Sequence, residues 1–317
     1  MSTGVEAVVE SGGSLLRERM AQVEGRLAAA AGWARGDLAE HAMATIAAGG
    51  KRLRPMLVFL AAGETDGDDE GLVRAAASVE LVHSATLVHD DVLDGAALRR
   101  GRPTVVAAAG RTMATATGDL LFARAFAELA LNGRVDEIRV LSAASSALAH
   151  GELAQRADAW RADVTVERYL LRCELKTARL FEAACRLGAL EAGGPAEELG
   201  AFGRQIGVAF QILDDVLDVS GPASKTGKHR GTDLLDGTVT LPLILARARD
   251  PELAARDLRS VRTPEQAEEV CDRVAATGAL EEARARALEM VAEAKAGLPR
   301  ADRALELVAD GVVDRFS

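Results

Sequence analysis

The sequence predicts an all-α protein, and three observations carry that expectation. Alanine, leucine, arginine and glutamate dominate a chain with only 8 prolines, a mixture that favours long helices. Aromatic residues make up 3% of it, too few for a typical β-rich core. Apolar residues recur three and four positions apart along most of its length, the helical period. At 317 residues one large helical domain fits the chain as well as two small ones do, and a single domain over 1–317 is the expectation.

Two opening helices are expected between Gly13 and Ala48, broken at Gly49-Gly50 and followed by the basic turn Lys51-Arg52-Leu53-Arg54-Pro55. A second break from Gly63 to Gly71 is rich in Asp and Gly, and Leu72 to Asp94 then reads as one apolar helix ending in carboxylates. The spacing predicts further helices over 112–131, 135–159, 165–189 and 195–219. Ser220 to Gly237 mixes glycines, Pro222 and charges without an apolar period, so it reads as a long loop, a feature that compact domains usually keep for function. Thr263-Pro264-Glu265-Gln266 supplies an N-cap, a first-turn proline and a capping-box glutamine for the helices that close the chain.

The formal net charge of −10 gives no field that draws the chain to nucleic acid or to an anionic membrane, so an anionic substrate must meet a local basic cluster. No apolar run approaches the roughly 18 residues of a membrane span, and the N-terminus lacks a signal pattern. The expectation is a cytoplasmic protein without stable membrane insertion. Cys173, Cys185 and Cys271 show no CxxC spacing and read as reduced, buried thiols.

The pentapeptide DDVLD occurs twice, as Asp90-Asp91-Val92-Leu93-Asp94 and Asp214-Asp215-Val216-Leu217-Asp218, each closing an apolar helix. Residues four apart share a helix face, so Asp90 pairs with Asp94 and Asp214 with Asp218. Like charges so spaced, near a helix C-terminus, are costly unless a cation compensates. A solvated acidic face is the bland alternative. It is weakened by the apolar flanks Ala85-Thr86-Leu87-Val88 and Phe210-Gln211-Ile212-Leu213, where unpaired carboxylates are expensive. Oxygen-only ligands suit Mg²⁺, which bridges carboxylate and phosphate oxygens. Donors for such phosphates stand beside the breaks: Lys51, Arg52 and Arg54, then Arg99, Arg100 and Arg102, then Lys225 and Lys228.

These stretches make the chain resemble the trans-isoprenyl (polyprenyl) diphosphate synthase family along nearly its whole length. The matching segments are GGKRLRP (49–55), HSATLVHDDVLDGAALRRGRPT (83–104), GD (118–119), KT (176–177), FQILDDVLD (210–218) and GKHRGTDLLDGTVTLP (227–242). The resemblance implies the isoprenoid synthase fold, antiparallel helices around a central active-site cavity, usually as a homodimer. It also implies Mg²⁺ held directly by Asp90, Asp94 and Asp214, with Asp91, Asp215 and Asp218 ligating or supporting through water. Lys51, Arg54, His83 and Arg100 would hold isopentenyl diphosphate, while Arg99, Lys176, Thr177, Gln211 and Lys228 would hold the allylic diphosphate. Thr238 stands where many relatives carry a second lysine, which leaves one diphosphate contact weaker or supplied by Lys225 or Arg230.

The implied reaction ionises the allylic carbon–oxygen bond, the isopentenyl double bond attacks the cation, and a proton is lost, with the Lys176-Thr177 region steadying charge. Small residues one turn before Asp90, Ala85 and Thr86, imply a product longer than farnesyl diphosphate, with a short-chain product as the alternative and Leu120, Leu121 and Phe122 as residues that could plug the pocket. A class I terpene cyclase would carry a different second metal motif and would leave GGKRLRP and Arg100 without a role. A non-catalytic partner subunit usually loses aspartates that this chain keeps. A di-iron bundle needs two Glu-x-x-His pairs, and only Glu80 to His83 fits. Trp33, Trp160 and Tyr169 carry no motif and default to packing, and His89 to a local hydrogen bond.

Overall fold

The computed structural model describes residues 13–65, 69–221 and 230–314. Lys225 and Lys228 lie outside these residues. Contacts divide the chain into two compact units interleaved in sequence: the first runs through Ser146 and takes in Leu180–Gly203 and Gly297–Val308, and the second comprises Ala147–Arg179, Arg204–Ala296 and the chain from Ala309 onward.

In the first unit α1 (Gly13–Ala31), α2 (Asp37–Ala47) and α3 (Leu53–Ala62) precede α4 (Glu70–Asp94), and a short hairpin leads to α5 (Val105–Ala130) and the start of α6 (Val135–Asp158). Helix α4 is apolar almost all round and buries Leu81, Val82 and Ala85 completely, the pattern of a central helix. It packs most extensively on α5, then on α3 and α1. Each fully buried leucine or phenylalanine, such as Leu57, Leu121 or Phe181, contributes about 1.5–3 kcal/mol from apolar area removed from water. Gly95, at φ 63°, ends α4 in the left-handed conformation that glycine adopts without strain.

The hairpin, β1 (Leu98–Arg99) and β2 (Arg102–Pro103), is absent from the sequence expectation. Its two-residue turn, Arg100-Gly101, has positive φ at both positions (53° and 74°), as a type I′ connection requires. Thr104 then accepts a hydrogen bond from the Ala107 amide at 3.2 Å and so starts α5 at Val105, seven residues before the predicted boundary, with a kink at Gly110.

The second unit carries most of α6, then α7 (Val166–Cys173), a single π-turn (Glu174–Ala178), most of α9 (Ala196–Ser220), α10 (Thr232–Leu235), α11 (Leu241–Arg247), α12 (Pro251–Ala255), α13 (Pro264–Ala276) and α14 (Ala279–Ala296). The π-turn splits the helix predicted over 165–189 into α7 and α8 (Arg179–Glu191). Helix α10 is a short helical turn inside the segment expected to be a loop. The capping box at Thr263 and Gln266 forms as its sequence predicts. Helix α15 (Arg303–Asp314) ends the described chain. All three cysteines are buried free thiols. Among the described residues, no helix is long and apolar enough to cross a membrane.

Candidate active site

In the first unit the cations of the basic turn differ in their surroundings. Arg52 is buried in a left-handed conformation before α3. It bonds Glu80 at 2.7 Å, Glu24 at 2.6 Å and the Ile46 carbonyl at 3.0 Å, so it fixes the turn. Arg54 stacks over Phe181 at 4.6 Å, and its Nε is buried without a hydrogen-bond partner. Burial pushes its pKa down to about 10, although Glu80 nearby favours the charge. His83 is held well below the usual imidazole range, first by burial and then by Arg54, Arg100, Arg99 and Arg52, so it is neutral at pH 7. The Arg100 guanidinium lies against Gly50, where an added Cβ would sit 3.1 Å from its nitrogens, so the glycine pair gives it room. Lys51 is exposed beside this group. An anion would supply the partner that the buried Arg54 Nε lacks.

Asp90 is half-buried and Asp94 exposed on the face of α4 that continues upstream through Thr86 and His83, both half-buried. Ala85 lies off that face with no exposed surface. Thr86 donates its hydroxyl to the His83 carbonyl at 2.7 Å. Asp91 is buried and accepts from Arg99 Nε at 2.8 Å, so the hairpin folds a guanidinium back onto the motif. His89 stacks on Phe122 with its Nε2 3.3 Å from Asp119. Gly118 makes that possible, because a Cβ there would fall 2.2 Å from the imidazole.

In the second unit Lys176 and Thr177 stand on the π-turn, and Gly151 lets α6 approach it so closely that a Cβ would meet the Lys176 amide at 2.5 Å. Lys176 pairs with Glu152 at 2.5 Å. The Thr177 hydroxyl donates to Gln211 Oε1 at 2.7 Å, and Gln211 Nε2 donates to Asp215 Oδ1 at 2.8 Å. The Tyr169 hydroxyl donates to Asp215 Oδ2 at 2.7 Å. Burial and the carboxylates of Asp233 and Asp214 push Asp215 up to about 8, against the two donors. Asp214 and Asp218 are half-buried. Asp218 accepts from the Asp233 amide at 3.3 Å and is pushed up to about 6, chiefly by burial. Trp160 clamps the turn before Thr238: its amide donates to the Gly237 carbonyl at 2.8 Å, and its ring fills the place of a Gly237 side chain. Arg230 is tied to the Val219 carbonyl and Asp272, which leaves it poorly disposed to replace a lysine at 238.

Sequence reasoning missed Tyr169, Glu152 and Trp160. Tyr169 is the chain's sole tyrosine, and being buried ahead of the Lys-Thr pair was its one available signal.

Among the described residues, no three His, Cys, Asp or Glu side chains form a metal cage by themselves. Mg²⁺ usually takes one or two carboxylates plus substrate phosphates and waters, and the hard oxygen donors of Asp90, Asp94 and Asp214 fit that requirement. Burial first, and then the carboxylates of Asp215 and Asp214, raise the pKa of Asp218, and a bound cation would favour its charged form.

The chain matches the family model for polyprenyl synthetase over residues 36–277. It is 43% identical over 245 residues to heptaprenyl diphosphate synthase component 2 of Geobacillus stearothermophilus, across 76% of this chain and 77% of that one. Octaprenyl diphosphate synthase of Escherichia coli is 38% identical over 260 residues, 80% of each chain. The crystal structure of a polyprenyl synthase from Caulobacter crescentus, complexed with calcium and isoprenyl diphosphate, superposes with a TM-score of 0.88 at 34% identity, covering 99% of this chain and 98% of that one. This chain belongs to the polyprenyl synthetase family. It is a prenyltransferase with the all-α isoprenoid synthase fold.

Proposed function

We propose that this enzyme condenses isopentenyl diphosphate with an allylic diphosphate, using Mg²⁺, and builds an all-trans chain longer than farnesyl diphosphate. The observation that carries the reading is the cluster of Arg54, His83 and Arg100, in which a buried nitrogen of Arg54 has no partner and the imidazole is kept neutral by burial first and then by the cations around it. Such a group suits a diphosphate: guanidinium forks supply charge, and a neutral imidazole donates without adding electrostatic strain. Lys51 completes this isopentenyl diphosphate site.

The allylic diphosphate is assigned to Arg99, Lys176, Thr177 and Gln211, with Lys228 joining them from outside the described residues. Asp90, Asp94 and Asp214 would hold Mg²⁺, which supplies stabilisation of the departing diphosphate. Asp91 and Asp215 act from behind, because protein donors already occupy their oxygens. Lys176, drawn from Glu152 toward the diphosphate, steadies the leaving group as the allylic carbon–oxygen bond ionises. The isopentenyl π-bond attacks the allylic cation, and the released diphosphate takes the proton that restores an allylic double bond.

The growing tail is placed along α4 upstream of Asp90, where Thr86 is the accessible small residue and Ala85 the buried one. The exposed alanines of α5 and the exposed Leu131 and Val135 beyond it support a homodimer through that face, and the enzyme is assigned to the cytoplasm. The name of the Geobacillus relative, component 2, raises a second reading in which another polypeptide is required. Incubating the purified protein alone with farnesyl diphosphate, isopentenyl diphosphate and Mg²⁺ and sizing the products tests both. Extension past the input supports the proposal, no extension overturns it, and Thr86→Phe is expected to shorten the products.

A further inference from the structure

We infer that Tyr169 is a positioning residue that sets, through Asp215, which end of the Gln211 amide faces the allylic diphosphate; this rests on the proposed function of the same site. Tyr169 is fully buried and donates to one oxygen of Asp215, and Gln211 donates to the other. Both Asp215 oxygens are acceptors in this arrangement, and the Gln211 amide presents its nitrogen to the one that Tyr169 leaves. Its oxygen then points to Thr177, whose hydroxyl donates to it across the π-turn.

A primary amide has two N–H groups, and Asp215 takes one. The other is left for a phosphate oxygen. Were the amide reversed, Gln211 would offer an acceptor to an anion, a contact worth avoiding, and the Thr177 hydroxyl would lose its acceptor. Nothing on Gln211 itself chooses between the two orientations. The choice is made by Asp215, and Asp215 keeps its position because Tyr169 holds the oxygen that Gln211 does not. Asp215 thereby acts without touching metal, which distinguishes it from Asp214 on the same turn.

The test compares KM values for the two substrates. Tyr169→Phe keeps the ring and removes the hydroxyl, and it is expected to raise KM for the allylic diphosphate about tenfold while KM for isopentenyl diphosphate changes less than about twofold. Val270→Ala, a buried truncation on α13 outside the Tyr169–Asp215–Gln211–Thr177 network, serves as the control for lost stability and should leave both KM values in place. In a Gln211→Leu background Tyr169→Phe should add less than about twofold, since its effect passes through the amide. Full additivity in that cycle, or equal rises in both KM values, overturns the relay.

Asp215→Leu is close to isosteric and carries the test if the tyrosine variant does not fold. It offers Gln211 no acceptor, so the allylic KM rises while the Mg²⁺ concentration for half-maximal activity stays within about twofold. A shift in Mg²⁺ requirement without a KM change assigns Asp215 to the metal and overturns the relay. A wild-type enzyme that fails to elongate any allylic diphosphate sinks the proposed function instead, so the two failures are told apart.

Discussion

The two copies of DDVLD share every residue and diverge in what their middle carboxylates meet. Asp91 and Asp215 are equally buried, at 5% exposure, yet Asp91 receives a guanidinium from Arg99 and Asp215 receives only the neutral hydroxyl of Tyr169 and amide of Gln211. Neutral donors offset desolvation incompletely, and Asp215 is pushed up to about 8. Identical local sequence therefore gives no assurance of identical electrostatics. The partner, delivered by the hairpin in one case and by α7 in the other, decides the chemistry.

The comparison is broken most forcefully at the outward carboxylates. Asp90→Asn and Asp214→Asn should each lower kcat by about 10²–10³, measured at saturating substrates, if the two copies are equivalent in holding Mg²⁺. A loss confined to one copy would show that the motifs divide the work unequally.

Next in size is Arg54→Leu, which removes the buried guanidinium from the first unit. KM for isopentenyl diphosphate is expected to rise about 10–100-fold with the allylic KM little changed, as steady-state kinetics would read. The converse pattern would exchange the assignments of the two substrates.

Arg99→Gln converts the first copy into the electrostatic likeness of the second by replacing a charged donor with a neutral one. Because Arg99 retains 34% of its side-chain surface in water, the loss of stability is expected to be about 1–2 kcal/mol by denaturant unfolding, below that of a fully buried pair.

The smallest effect concerns another buried carboxyl without a full cationic partner, Glu137. Burial first, then the adjacent Glu191, pushes it up to about 8, while Asn132 donates to it at 3.0 Å and Arg134 stands 3.9 Å away. A carboxyl whose pKa is raised on folding adds stability that is complete below the unfolded value and is lost as pH rises through about 8. The melting temperature of the wild type should therefore fall more between pH 5 and pH 8 than that of Glu137→Gln. The low pKa of His83 works in the opposite direction and is common to both proteins, so the difference between them isolates Glu137.

Much of this was legible in the sequence because it is local. Helix period, the Gly49-Gly50 break, the capping box at Thr263 and the spacing of Asp90 and Asp94 all follow from neighbours within a turn or two. The hairpin escaped because Arg100-Gly101 lacks the Asn-Gly signal of its turn type and its strands are two residues long. The start of α5 was misplaced because the alanine-rich stretch after Thr104 has no amphipathic period, although the threonine itself is a capping residue. The pairings of Tyr169 with Asp215 and of Lys176 with Glu152 span 46 and 24 positions, and no periodicity encodes them. Arg52 and Arg54 are alike as sequence, and only the carboxylates of Glu24 and Glu80 separate a structural arginine from an available one.

The π-turn amounts to one surplus residue slipped into a helix. Each residue of an α-helix advances the chain by about 100° around the axis, so everything before the insertion is out of phase with everything after it by roughly that angle. Tyr169 and Cys173 belong to one compact unit and Phe181 and Cys185 to the other, and all four are buried. A single amino acid thus re-aims the apolar stripe of the segment, from Tyr169 and Cys173 before it to Phe181 and Cys185 after it.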